Sequence, residues 1–228
     1  MCGRFVQLPL FDRMQAPWPE LADELSAMSS KYNLAPTQRA AVVMGDGAKL
    51  ELRKLRWGLV PHWVKDLKST YSTINARIET VATKPAFRSA WKAPRRCLIP
   101  MAGYYEWRQV GKDKYPYYIQ RVDRQQLYAA GLWEPRHALQ EPDEGGSCTI
   151  ITHDAVDVAG QVHDRMPVFL DPAMGREWMS AAPDDAMAML LAAEIPALEV
   201  HPVSRGINNS RNPGGPEALD PVEPPPEQ

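Results

Sequence analysis

The sequence is poor in cysteine and phenylalanine, with three of one and four of the other in 228 residues. Thiols at positions 2, 97 and 148 make neither a disulfide framework nor a zinc-type spacing, so a reducing compartment fits best. No stretch approaches the ~18 consecutive apolar residues of a membrane span. The opening MCGRFVQLPLFDR has no basic region ahead of a long apolar run, so no secretory leader is expected. Neither Cys-x-x-Cys nor His-x-x-x-His occurs, and His62, His137, His153, His163 and His201 are scattered, which speaks against a metal site. G-x-x-x-x-G-K-[ST] and G-x-G-x-x-G are missing too, and no cofactor is expected. There is no internal repeat. Charge of one sign is also lacking: 26 basic against 28 acidic residues leave a net charge of -2.

What is there reads as one α+β domain over residues 1–211, followed by a tail. The tail, 212–228 (NPGGPEALDPVEPPPEQ), has six prolines and four acids and no Lys or Arg, a composition expected to stay disordered. In the body, strand signals outnumber helix signals. RAAVVMGDGAKLELRKL reads as a hairpin through Gly45-Asp46-Gly47, and RRCLIPMAGYYEWRQV with KYPYYIQRV as another around Gly111-Lys112-Asp113. QQLYAAGLW, CTIITHD and MPVFL continue the pattern. Helices are expected at Leu10 to Ser29, Ala86 to Lys92, Pro172 to Ser180 and Asp184 to Ala193. Strands without βα alternation predict a mostly antiparallel, barrel-like β core with a few peripheral helices.

Cys2 is the first residue with chemistry of its own. Aminopeptidases remove Met1 when the next residue is small, which leaves Cys2 as an amine and a thiol on adjacent carbons. Such a 1,2-aminothiol condenses with an aldehyde to an imine and then closes a thiazolidine. With an α-amino pKa near 7.7 to 8.0, roughly 10 to 20% of the amine is the neutral nucleophile at pH 7. Its thiolate is alternatively an acyl-transfer nucleophile. Gly3 and Arg4 set a permissive backbone and a phosphate-pairing guanidinium beside it. Asn75 and Arg77, two apart in STINARIET, project to one face of an extended segment. Glu106 stands among Tyr104, Tyr105 and Trp107, where partial desolvation raises a carboxyl pKa toward neutrality. His163, in QVHDRMPVFL, is the residue type best suited to acid–base work.

The charge is unevenly spread. Arg53 to Arg96 holds 11 Lys and Arg against Asp66 and Glu79, interleaved with Trp57, Trp63, Tyr71, Phe87 and Trp91. Basic groups for phosphates and aromatic faces for bases are the composition of a single-strand groove, with Trp63 the most exposed candidate.

MCGRF, YNLAPTQ, WGLVPHW, INARIET, RRCLIPMAGYYEW, HDRMPV and HPVS, in that order, closely resemble the SRAP (SOS response-associated peptidase) family over residues 2 to 212. The resemblance implies that Cys2 captures the ring-opened aldehyde of abasic sites in single-stranded DNA as a thiazolidine cross-link that protects the lesion. It assigns Asn75 to positioning the amine and adduct, Glu106 to ring opening and proton transfer, and His163 to imine chemistry and reversal. It further implies phosphate contacts at Arg4 and Arg77, a wedge at Trp63, and a site lining that includes Thr152 and Arg165; with Gly3 beside Arg4, these six are the expected nucleic-acid-binding residues. A monomeric bacterial cytoplasmic protein, associated with the nucleoid at damaged forks and with no metal or membrane partner, is expected. Two other functions remain open at this point: a cysteine-type autopeptidase, and a non-covalent binder of modified single-stranded DNA. One departure stands out. Thr152-His153-Asp154-Ala155 replaces the usual Thr-Thr-x-Ala, placing a second histidine near the site.

Overall fold

The protein is seen in a computed structural model that describes residues 2–10, 12–46, 48–67, 72–140 and 145–225. Among the described residues, twelve strands form two sheets. The smaller comprises β1 (Arg4–Gln7), β2 (Lys31–Leu34), β7 (Gly103–Val110), β8 (Asp113–Arg121) and β12 (Leu198–Pro202), in the order β12-β8-β7-β1-β2. The larger comprises β3 (Arg39–Gly45), β4 (Leu50–Trp57), β5 (Asn75–Arg77), β6 (Arg96–Met101), β9 (Leu127–Pro135), β10 (Gly146–Asp154) and β11 (Arg165–Pro167). Its order is β11-β10-β4-β3-β6-β9, and β9 pairs again with β10, so the sheet closes on itself. The expected α+β class and barrel-like core are present. Most pairings are antiparallel; β10 runs parallel to β4 and to β5.

Strand alternation explains the layers. On β3, Val42 faces the core between the sheets and Val43 faces outward under the helices; on β6, Cys97 and Ile99 face in and Leu98 out. Gly131 on β9 lies where a Cβ would sit 2.4 Å from Ile99 Cδ1 and 2.6 Å from the Thr149 carbonyl oxygen, so the barrel closes only over a glycine. The expected β3–β4 hairpin forms, with Gly45 at φ +158° and the Asp46 carboxylate accepting from the amides of Ala48 and Lys49; Gly47 lies outside the described residues. The run RRCLIPMAGYYEWRQV is two strands rather than one: at Ala102, whose amide donates to the Val6 carbonyl, the chain passes from the larger sheet to the smaller.

Among the described residues, five short helices lie outside the sheets: α1 (Ala22–Ser26), α2 (Arg88–Lys92), α3 (Asp157–Gly160), α4 (Pro172–Trp178) and α5 (Pro183–Ala192). The helix expected over Leu10 to Ser29 is not continuous. Pro17 and Pro19 break it into 3-10 turns at Arg13–Gln15 and Pro19–Leu21 before α1. Trp18, Leu21 and Leu25, all buried, supply the helical-looking spacing. α4 starts on an Asp171 carboxylate that accepts from the amides of Ala173 and Met174. α3 had no signal in the sequence.

The proline-rich segment departs from the expected disorder as far as it is described, to residue 225. Pro216–Leu219 forms a 3-10 turn, Ala218 is buried, and the Val222 amide donates to the Pro202 carbonyl at 3.0 Å. Proline loses little conformational freedom on ordering, so a few such contacts suffice. Among the described residues no helix is long and apolar enough to cross a membrane.

Candidate active site and nucleic-acid interface

β1 lies between β2 and β7, with Arg4 opposite Tyr105 and Phe5 opposite Tyr104. Extending that register by one residue sets Gly3 against Glu106. Cys2 is fully buried, its thiol 3.9 Å from the Arg4 carbonyl oxygen. Across from it, β5 is held on β10 by the pairs Asn75–Ile150 and Arg77–Thr152. From there Asn75 Nδ2 donates to the Cys2 carbonyl at 2.7 Å. Among the described residues, Asn75 Oδ1 is buried without a hydrogen-bond partner, as is the Thr152 hydroxyl.

Burial raises the Cys2 thiol well above its ordinary range, and the nearby Glu106 carboxylate adds to the effect. The thiol is therefore protonated at rest. Burial also lifts Glu106 from an ordinary 4.5 to about 7. The positive amino terminus opposes that rise and Asp164 adds to it. His163 follows α3, and its pKa is lowered, first by burial and then by the same amino-terminal charge. Its Nδ1 accepts from the Arg165 amide at 3.0 Å and also lies 2.6 Å from Asp164 Oδ1. A neutral ring suits the first contact and a protonated ring the second; burial favours the neutral ring, with its proton on Nε2. Cys2, Asn75, Glu106 and His163 thus converge on the start of the chain.

Asn75 and Arg77 also line a cleft of about 880 Å³ together with Arg56, Trp63, Lys84 and Phe87. Trp63 is 46% exposed, whereas Trp57, Phe87 and Trp91 are buried in the core; Tyr71 lies outside the described residues. Among the described residues, Trp63 is therefore the one well-exposed aromatic of the basic stretch, while the buried Trp57 and Phe87 only back the cleft wall. The basic excess is dispersed as well. Arg53 pairs with Glu51, Arg95 with Glu134, and Arg96 is buried between Trp91 and Trp178 at 5.3 and 5.2 Å.

Arg4 and Arg165 are both committed to the protein. Arg4 Nη1 donates to Asn33 Oδ1 and to the Ile207 carbonyl, each at 2.7 Å. Arg165 donates to Glu79, Asp154 and the Thr152 carbonyl. His153 and Thr152 project to opposite faces of β10. His153 lines a separate hollow of about 330 Å³ with Phe169 and Leu191, away from Cys2. Among the described residues no cluster of His, Cys, Asp and Glu is placed to hold a metal.

Tyr104 and Asn33 belong to the site's surroundings without a signal of their own in the sequence. Tyr104 shares a strand face with Glu106, and its buried hydroxyl has no hydrogen-bond partner among the described residues. Asn33 stands inside YNLAPTQ, and only the fold reveals that it reaches Arg4.

Residues 1–210 match the family described as SOS response associated peptidase (SRAP). The chain belongs to the SRAP family. Relatives agree along most of its length. The abasic site processing protein YoaM of Bacillus subtilis is 34% identical over 93% of this chain and 95% of its own. The abasic site processing protein YedK of Escherichia coli is 31% identical over 97% and 100%. The abasic site processing protein HMCES of Xenopus tropicalis is 30% identical over 86% and 68%. A crystal structure of a Bordetella bronchiseptica protein superposes with a TM-score of 0.72 at 26% identity, covering 89% of this chain and all of that one. This SRAP chain continues beyond the matched 210 residues into the segment that packs against β12.

Proposed function

We propose that the protein captures abasic sites in single-stranded DNA as a covalent thiazolidine on Cys2, formed after Met1 is removed. The observation that carries this is the bond to the Cys2 carbonyl from Asn75, a residue that also lines the cleft of about 880 Å³, with a carboxyl poised near neutrality close to the amino terminus. Relatives named for abasic site processing support the same substrate.

The chemistry follows from the protonation states. Glu106, with a pKa of about 7, holds a proton for the deoxyribose ring oxygen as the ring opens to the aldehyde, and is then a base. The Cys2 amine adds to the aldehyde carbon, and loss of water, assisted by proton transfer from His163 or Glu106, gives the imine. The buried thiol stays protonated until that point. It then adds to the imine carbon: the S–C bond forms, the C=N π pair returns to nitrogen, and the thiol proton ends on that nitrogen by way of Glu106. Asn75 holds the Cys2 backbone so that both nucleophiles meet the same carbon. Arg77 takes a phosphate, Trp63 stacks beside the lesion, and Thr152 offers its unpartnered hydroxyl to the adduct. Arg4, bonded inside the protein through Nη1, and Arg165, bonded through both Nη atoms, shape the walls. The protein acts as a monomer, since one chain supplies every group.

The test incubates mature protein with single-stranded DNA carrying one abasic site, a tetrahydrofuran analogue without an aldehyde, or no lesion, followed by a denaturing gel. A heat-stable shifted band with the abasic strand alone is expected. Binding to all three strands without a band would make the protein a non-covalent binder, and release of peptide fragments from a denatured substrate would make it a peptidase.

A further inference from the structure

Chain termini fray unless they are tied down, and Cys2 is secured from a side the reaction itself does not use. Arg4, two residues on, anchors Nη1 on Asn33 Oδ1 and the Ile207 carbonyl. Asn33 is buried on β2, and its Nδ2 protons are shared among three carbonyls of the C-terminal segment: Ile207 at 3.3 Å, Asn209 at 3.2 Å and Asn212 at 2.7 Å. Trp107 covers the Arg4 guanidinium at 5.6 Å and donates its Nε1 proton to Asn208 Oδ1 at 2.7 Å. The chain then turns at Gly214, φ +66°, whose amide donates to Asn212 Oδ1, and is pinned by buried Ala218. His201 meets the Leu219 carbonyl at 2.9 Å. Part of this brace lies beyond the 210 residues the family match covers.

We infer that Asn33 is a positioning residue that couples the C-terminal segment, residues 205–222, to the Cys2 nucleophile through Arg4. The inference rests on the capture reaction proposed above. Asn75 holds Cys2 by its carbonyl from β5, and the Asn33–Arg4 pair holds the same strand end from β2. A nucleophile on a free terminus has little else to fix it, and a displacement of about 1 Å from a reactive geometry costs on the order of 100-fold in rate. Carbonyls of a segment remote in sequence thus set where the amine and thiol stand.

The experiment measures cross-linking of abasic single-stranded DNA by the full-length wild type, Asn33→Ala, Asn33→Asp and Gly214→Val, across DNA concentrations and at two salt concentrations. Asn33→Ala is expected to lower the maximal rate about 10- to 100-fold, with the half-saturating DNA concentration and its salt dependence unchanged. Asn33→Asp keeps the acceptor for Arg4 but loses the donors to the three carbonyls; it should slow the reaction in the same way, and it carries the test if Asn33→Ala does not fold. Gly214→Val touches neither Cys2 nor the cleft and should slow it by about threefold, a small part of that misplacement penalty. Wild-type maximal rates in folded Asn33 variants would overturn the inference. So would a loss of DNA affinity with a shallower salt slope, which would make the Arg4 cluster a phosphate site. An unaffected Gly214→Val would overturn the C-terminal coupling. If the wild type forms no cross-link, the capture reading fails instead. Hydrogen exchange at the amides of residues 3–6 then decides the coupling: faster exchange in Gly214→Val supports it, and unchanged exchange defeats it.

Discussion

Replacing Glu106 with glutamine separates two effects of one buried carboxylate. Glu106 is almost fully buried, and burial lifts its pKa from 4.5 to about 7. The folded protein therefore holds this proton more tightly than the unfolded chain does. Below about pH 4.5 both states are protonated and the group is neutral to stability. Between about pH 4.5 and 7 the native state binds more protons than the unfolded one, so stability falls as pH rises, and above pH 7 the whole penalty is present. At about 1.4 kcal/mol per pH unit, that span amounts to roughly 3 kcal/mol. Glu106→Gln removes the charge and keeps the shape. It should melt near wild type at about pH 4 and higher than wild type at about pH 8, by roughly 6 to 12 °C for a chain of this size. The same substitution should slow cross-linking far more than it weakens DNA binding, and should erase a rise in rate centred near pH 7. Melting followed by circular dichroism, with cross-linking rates across the same pH range, provides both readings. A melting difference independent of pH would refute the burial argument. An equal loss of binding and rate would make Glu106 a DNA contact and not a proton carrier.

Other substitutions test the cleft and the core. Arg77→Ala should leave stability unchanged and flatten the salt dependence of single-strand binding by about 0.7 in the log–log slope, whereas an unaltered slope would remove Arg77 from the phosphate contacts. Trp63→Ala should weaken single-strand binding by about 1 to 3 kcal/mol, measured by anisotropy titration, without lowering the melting temperature. Arg96→Lys loses the planar stack between Trp91 and Trp178 and should destabilise by about 2 kcal/mol in urea while cross-linking stays at the wild-type rate. Gly131→Ala forces a methyl against Ile99 and the Thr149 carbonyl and should cost about 1 to 3 kcal/mol in the same assay.

The strands were legible because their apolar residues alternate and their turns carry glycine, as at Gly45 and Gly111. The pairing of β9 back onto β10 was not legible, since closure depends on which distant strands meet and on the space left at Gly131. The N-terminal helix was misread because Trp18, Leu21 and Leu25 keep helical spacing while the chain between Pro17 and Leu21 is not α-helical. The tail was misread because its composition describes an isolated chain, while its order comes from Val203, Ala218 and the β12 backbone. Glu106 was legible as a perturbed carboxyl from its aromatic neighbours. The basic aromatic stretch was less faithful. Periodicity did not tell that Trp57, Phe87 and Trp91 turn inward, or that Arg96 goes with them. Arg4 and Arg165 illustrate the same limit: their partners Asn33, Glu79 and Asp154 are distant in sequence, and only the fold shows that these guanidiniums are already engaged.

In the proposed reaction both nucleophiles of Cys2 end on one carbon of the DNA. Mass spectrometry of the N-terminal peptide, after nuclease and protease digestion of the cross-linked species, reads this directly. The expected product is a peptide lacking Met1, carrying a deoxyribose remnant less one water on Cys2, with no free thiol to alkylate and no free α-amine to label. Cys2→Ser should yield only a hydride-reducible, heat-labile adduct. A remnant on any other residue, or an adduct on Cys2 that leaves its thiol open to alkylation, would contradict it.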